Sequence, residues 1–402
     1  HSPANLWLMN PAGWVIGQNA QLNVQGAFHL SSADGIGFSE GAMFFADPAS
    51  QSVLSASAPI GYQFNQGVQA TITLDQADLI MPDRQDISVV GGDINMQNAS
   101  ISALGGRIVL ASNSGEGQWH FEGDGITQER GMQGLIHITH DTPATINAPS
   151  LSSSGDGVID PNTEDLQLIS AGNIQLTAEQ ISLRNAYILA EAGTDEAAGD
   201  TVLRAHTITL DNSAINSDVN AEQSGGNIHV FSNDLTMQNG TSVTSATRQH
   251  STGMGGDIIV DLSGQLNLLD ESNFTSSVGG ASGGGDIFLN AGAVILEGSS
   301  FVSLAAQEGG GNAGNLTINS QQLTLSNGGT LETSAVFDNG HGGNITVNAN
   351  NVSLIQEGLI TSSSVFQGDA GHIEINADNL SLVNGSEIIA TSEGTGATGQ
   401  IQ

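Results

Sequence analysis

The chain of 402 residues has no cysteine and no lysine, and its six basic residues are all arginine. Without cysteine there is no disulfide framework, no zinc–thiolate site and no thiol nucleophile. The same absence suits export, where a premature disulfide would trap the chain. Six basic residues against 41 acidic ones give a formal net charge of −35. Such a surface repels phosphate backbones and anionic headgroups, which argues against nucleic-acid and lipid-surface partners. Aromatic residues make up 4% of the chain and charged residues 12%, about half the usual charged share. No run of 18 apolar residues exists, so no membrane insertion is expected. No signal peptide is visible, and the chain opens at His1 already in strand-like pattern, reading as a length of something longer. What is abundant is glycine, at 53 residues, with Asn, Ser, Thr and Gln where charges would normally sit. Hydrophobic residues hold at 38%, enough for a core.

A pair of small residue and glycine, then a polar residue and an aliphatic, recurs along the chain. Its second glycine falls at Gly172, Gly199, Gly226, Gly256, Gly285, Gly314, Gly343, Gly371 and Gly399, at intervals of 27 to 30 residues. Between these marks the aliphatics alternate in three short bursts. In one coil they are Ile345, Val347 and Ala349, then Val352 and Leu354, then Ile360. Period-two alternation broken by Gly, Asn and Ser means three strands per coil, each with one buried face, and excludes helices. The spacing predicts an all-β fold, a right-handed single-stranded parallel β-helix. Handedness rests on the general preference for right-handed parallel crossovers. In a stacked fold a repeated Lys or Glu would meet its own charge in every coil, whereas Asn, Thr and Ser can form ladders. After the marker glycine come Asn173, Asp200, Asn227, Asp257, Asp286, Asn315 and Asn344, then His372 and Gln400. We read these as an Asn-rich corner ladder rather than a calcium column.

Residues 10–28, NPAGWVIGQNAQLNVQGAF, carry a second signal. Asn-Pro followed by Gly is turn chemistry, with Pro fixing φ, Gly allowing a positive φ and Asn capping. This stretch resembles the second motif of the secretion domain in filamentous-haemagglutinin-like exoproteins of two-partner secretion. Asn10, Pro11 and Gly13 match its Asn-Pro-Asn-Gly pattern, with Ala12 in place of the second Asn, and Gly17, Asn19 and Ala20 match the following turn. The segment 91–112, with Gly92 and Gly106 at 14 residues apart, is similar to the paired Gly-Gly turns that close the domain in cyanobacterial-type members. The family's earlier motif has no counterpart here. The resemblance implies an outer-membrane two-partner secretion transporter as partner, with Asn10, Pro11, Gly13, Gly17 and Asn19 as candidates for its recognition. It also implies a secreted or cell-surface product of a Gram-negative-type bacterium, usually an adhesin whose ligand is an unknown host, cell or glycan surface.

Chemistry is harder to find. Helical lyases and hydrolases need paired carboxylates with Arg, Lys or His at a cleft, and the repeats hold only Arg184, Arg204 and Arg248. His120, Glu122 and Asp124 share a strand face, but solvent exposure is the simpler reading, with Trp119 and Phe121 packed inward. His137 and His140 fall on opposite strand faces. Asp160, Asn162 and Glu164 have the alternate spacing of a calcium loop without its Gly or closing Glu. Asp195, Glu196 and Asp200 read as a loop excursion. No cofactor, metal or enzymatic activity is expected. The expected organisation is a secretion-type domain over 1–125, an irregular transition over 126–170, and regular coils over 171–402 that continue beyond the chain. The alternatives are a passive spacer or surface-layer component and, behind it, a β-helical polysaccharide lyase or hydrolase.

Overall fold

A computed structural model describes residues 4–65, 67–122, 125–130, 134–143, 150–153, 157–159, 166–168, 171–192, 197–219, 223–247, 253–279, 282–306, 311–336 and 339–402. Strands dominate, and one 3-10 turn, Ser39–Gly41, is the sole helical piece among the described residues. The strands stack in parallel into a β-solenoid with three faces. The first face runs from Leu6–Met9 through Phe28–Ser31, Ile87–Gly91, Ile108–Ser112 and Ile174–Thr177 to the coils beyond. The second begins at Trp14–Ile16 and Ile72–Asp75, and the third is an 11-stranded sheet from Asp78–Ile80 to Glu387–Ser392. Every second side chain points inward, so Ile, Leu and Val stack in continuous columns such as Ile181, Ile208, Leu235, Leu266 and Val294, all fully buried. Each such side chain contributes about 2 kcal/mol.

The first third of the sequence has no 28-residue register, yet its strands belong to the same ladder. Phe28 pairs directly with Ile87, and Ile108 with Ile174. The intervening chain leaves the coil to build a five-stranded antiparallel sheet and then returns in register. Its strands lie in the order Gly125–Arg130, Gly117–Glu122, Pro59–Phe64, Gly35–Phe38 and Met43–Phe45. Tyr62, Phe64, Trp119 and Ile126 of this sheet cover Val90, Val109 and Ala111 on the outer side of the first face, forming a second core. Gly92 and Gly106 mark two different corners of one short coil, which explains their close spacing. Gly92 follows the first-face strand Ile87–Gly91, whereas Gly106 precedes the next first-face strand, Ile108–Ser112.

The marker glycines open each coil at one corner. None has a positive φ; glycine is needed there because backbones approach too closely for a Cβ. A Cβ added at Gly199 would overlap the Gly172 carbonyl, one at Gly226 that of Gly199, and so on from Gly106 to Gly399. Inward hydroxyls satisfy some of these carbonyls: Ser245 Oγ donates to Gly226 O (2.7 Å) and Ser362 Oγ to Gly343 O (2.9 Å).

The next residue locks the step. The Asp200 backbone N–H donates to Asn173 Oδ1 (2.9 Å), that of Asn227 to Asp200 Oδ1 (2.7 Å), and that of Asp257 to Asn227 Oδ1 (2.9 Å). The pattern continues through Asp286, Asn315, Asn344 and His372. The corner ladder expected from sequence is therefore present, with main-chain N–H groups as its principal donors and side-chain amides adding to it at Asn315 and Asn344. Side-chain oxygens accept main-chain N–H groups, a role Asn and Asp fill equally. A longer amide-to-amide ladder runs along the first face, from Asn319 Nδ2 to Asn290 Oδ1 (2.7 Å) and from Asn348 Nδ2 to Asn319 Oδ1 (2.8 Å). At the corner between second and third faces, Asn185, Asn212, Asn239, Asn327 and Asn384 take φ of 46° to 56°, the left-handed region Asn tolerates best after Gly.

Two outcomes follow. Gly256→Ala drives its Cβ against backbone and should cost about 3 kcal/mol in urea unfolding, whereas Gly17→Ala, which meets nothing within 4 Å, should cost far less. Asp257→Asn should leave the midpoint nearly unchanged, while Asp257→Ala, which frees the Asp286 N–H, should lower stability by about 1 kcal/mol.

Candidate functional site

The turn-forming motif lies at the amino-terminal end of the solenoid, where it makes the corner between the first two faces. Gly13 N–H donates to Asn10 O (2.9 Å), closing a turn with Pro11 second. Asn10 braces it from both ends: Nδ2 donates to Gly13 O (3.0 Å), and Oδ1 accepts the Ala12 N–H (3.1 Å). Gly13 has φ +86°, and a Cβ there would overlap Thr71 O in the next coil. Trp14 fastens the corner through Nε1, which donates to Ser31 O (2.9 Å). Asn10, Pro11 and Gly13 are thus brought together by the needs of a corner.

Gly17 and Asn19 stand apart in a separate exposed turn, where Ala20 N–H donates to Gly17 O (3.2 Å) and Asn19 has φ +71°. Beside the motif lies an apolar cleft of about 600 Å³, lined by Trp7, Trp14, Phe38, Phe44, Leu54 and Pro59 among others. It lies between two strands, Leu6–Met9 and Met43–Phe45, that are edge strands among the described residues, each paired there on one side. Leu54 is 75% exposed at its rim.

A polar seam joins solenoid and antiparallel sheet. His29 stacks on Trp7 with ring centroids 3.7 Å apart, and its Nδ1 lies 2.8 Å from Ser88 Oγ. Arg107 donates from Nε (3.0 Å) and Nη2 (2.5 Å) to Asp86 Oδ2. Phe121 meets Trp7 edge-on at 5.6 Å. Together with Val109 and Ile126 these groups line a cavity of about 240 Å³. Burial, helped by Arg107 and opposed by Asp86, lowers the His29 pKa to about 4. Burial also pushes the Tyr62 phenol above its ordinary range. Sequence spacing concealed this seam, because its residues come from segments as far apart as Trp7 and Ile126, joined only by the insertions.

The remaining candidates do not converge. Trp119 is fully buried and Phe121 partly so, but against the outer side of the first face, while Glu122 faces solvent. His137 is exposed, and His140 Nε2 lies 2.9 Å from Ser150 Oγ, its pKa lowered by burial against the opposing Asp141 charge. Among the described residues no group of three His, Asp or Glu is placed to hold a metal. Asp124, Asp160, Asn162, Glu164, Asp195, Glu196 and Arg248 lie outside the described residues, and Asp200 belongs to the corner column.

Residues 1–129 match the family described as TPS secretion domain. The amino-terminal third is a TPS secretion domain. Domain and solenoid together fit a filamentous-haemagglutinin-like two-partner secretion exoprotein. No curated protein and no solved structure matches the chain. The secretion domain implies a cognate outer-membrane transporter and marks the chain as a secreted exoprotein with a β-helical shaft. No helix is long and apolar enough to cross a membrane among the described residues.

The His29 shift makes the secretion domain acid-sensitive. Above pH about 6.5 the residue is neutral folded and unfolded. Between that pH and about 4 the unfolded chain takes the proton and the folded one does not, so stability falls with pH. Unfolding titrations should show wild type losing roughly 2–3 kcal/mol more across this window than His29→Phe, which keeps the stack on Trp7. Parallel curves would remove His29 as the cause.

Proposed function

We propose that this chain is an adhesin-like exoprotein whose transporter reads the amino-terminal end of the solenoid, and whose shaft then binds an external surface. The observation that carries the export part is the TPS secretion domain at residues 1–129, built on the first rungs of the ladder itself. A transporter domain can add a strand to Leu6–Met9 or Met43–Phe45, taking main-chain hydrogen bonds from the edge and specificity from the aromatic cleft between them. Gly17 and Asn19, exposed and free of structural duty beyond their own turn, are better placed for direct contact than Asn10 or Gly13.

A spacer role draws support from a stretch of the shaft. Along the first face the outward residues Thr317, Asn319, Thr346 and Asn348 are neutral and stack on their counterparts one coil on, and Asn348 is bonded to Asn319. Binding would then fall to coils whose outer residues break that monotony.

Co-expression of the whole precursor with its transporter separates recognition from folding. Asn19→Gly keeps the left-handed backbone and removes the amide, and Gly17→Ala fills open space. Both should fold as wild type by circular dichroism yet reduce secreted protein several-fold. Asn10→Ala should lower stability by about 1–2 kcal/mol as well as export. Unchanged export in the first two variants excludes Gly17 and Asn19 from recognition. Failure of the exported chain to bind any cell or matrix surface would reject the adhesin role and leave a spacer.

A further inference from the structure

Over the secretion domain the outer side of the first face is covered by the antiparallel sheet, whose backbone reaches as far as Gln175. Ile126 N–H donates to Gln175 Oε1 (3.0 Å), and Gln175 Nε2 donates to Ile126 O (2.8 Å). In the later coils the same outward columns hold Thr317, Asn319, Thr346 and Asn348. Between these two stretches, over the four strands Thr201–Arg204, Ile228–Ser232, Ile258–Leu262 and Ile287–Glu297, the columns change character. One reads Val202, His229, Ile259, Phe288; its neighbour begins Arg204, Phe231. In a chain with 4% aromatics, two phenylalanines on one outer face are conspicuous. All six side chains except the exposed Arg204 are half-buried.

Arg204 supplies the second observation. The chain has 41 acidic residues, yet the Arg204 guanidinium makes no ion pair among the described residues. It lies over the Phe231 ring, 4.6 Å from the centroid, and the His229 and Phe231 rings are near parallel at 6.1 Å. Stacking holds a guanidinium by its face and leaves its edge donors directed outward, where they can take a carboxylate in bidentate fashion. Asp261, next in the Phe231 column, is occupied by Asn290, whose Nδ2 donates to Asp261 Oδ1 (2.6 Å).

We propose that this strip binds a carbohydrate chain bearing a carboxylate. Flat aromatic and aliphatic side chains take the C–H faces of the sugar rings, Arg204 takes the carboxylate, and the Asp261–Asn290 pair meets hydroxyls. Four rungs at the strand spacing make a strip about 15 Å long, room for a short run of pyranose rings. A purely apolar ligand is a poorer fit because it leaves the Arg204 guanidinium unanswered, and a basic one because it meets that positive charge. The Asp261 carboxylate is already bonded by Asn290, and Arg204 gives an anionic group a local partner on an otherwise acidic chain. The inference rests on the reading of the shaft as a surface-binding element and names where on the shaft, and to what, it binds.

Isothermal titration of the purified chain with oligogalacturonate, a hyaluronan oligosaccharide and sialyllactose tests the proposal, with methyl-esterified oligogalacturonate as the uncharged comparison. At least one acidic saccharide should bind. Arg204→Gln, and methyl esterification when oligogalacturonate is that ligand, should each weaken binding about ten-fold, the loss of one charge-assisted contact. Phe231→Asn should weaken it similarly while leaving the unfolding midpoint close to wild type, because that column already carries Asn at 290 and 319. Absence of binding by all three acidic saccharides overturns the proposal, as does binding that both variants leave unchanged. In the latter case the strip is wrong while the adhesin reading stands. Loss of all surface adhesion by the wild-type chain would instead remove that reading.

Discussion

The corner that opens each coil depends on a backbone-to-backbone contact too close for any side chain. Glycine there is selected by proximity rather than by φ, and the carbonyl of one coil sits where the next residue type would place its Cβ. The following residue then accepts the main-chain N–H of its counterpart one coil on. Together the two positions set the rise between coils and the register of every strand that follows. The aliphatic columns inside can stack only because this step repeats, and a one-residue slip would turn each column to solvent.

From this constraint the composition follows. Equivalent residues lie about 4.8 Å apart along the solenoid, so lysine and glutamate are disfavoured on stacked faces, and neutral amides and hydroxyls take their place. Asp is tolerated in the corner column because its oxygen is bonded to a backbone N–H, which offsets part of the repulsion between neighbouring carboxylates such as Asp257 and Asp286. The secretion domain obeys the same rule with larger excursions. Its antiparallel sheet is an elaboration of coils that return to register, and its aromatic residues seal one outer face.

The repeats were legible in the sequence because their coils carry only small insertions: the marker glycines and the alternating aliphatics translate directly into corners and columns. The amino-terminal rungs were hidden for the opposite reason. Phe28 and Ile87 are direct partners with an antiparallel excursion between them, so no periodicity joins them. The corner ladder was legible as a column of Asn and Asp, but its main bond, from a backbone N–H to the side-chain oxygen one coil before, shows only once the coils are stacked. Asn10, Pro11 and Gly13 were visible as one turn and Gly17 and Asn19 as the next, but only the fold makes the first a solenoid corner and the second an exposed turn. The seam of His29, Ser88, Asp86 and Arg107 could not be read from spacing at all, and neither could the outer strip around Phe231, whose members meet only through parallel pairing across coils.

Amide hydrogen exchange tests the corner step most directly. If the glycine approach and the side-chain acceptor set the register, the N–H groups of Asp200, Asn227, Asp257, Asp286, Asn315 and Asn344 should exchange only through opening of the solenoid, as slowly as the buried strand amides. Exchange at these positions as fast as in the exposed turn around Gln18 would contradict the account, and would show that the corners follow the strands rather than hold them.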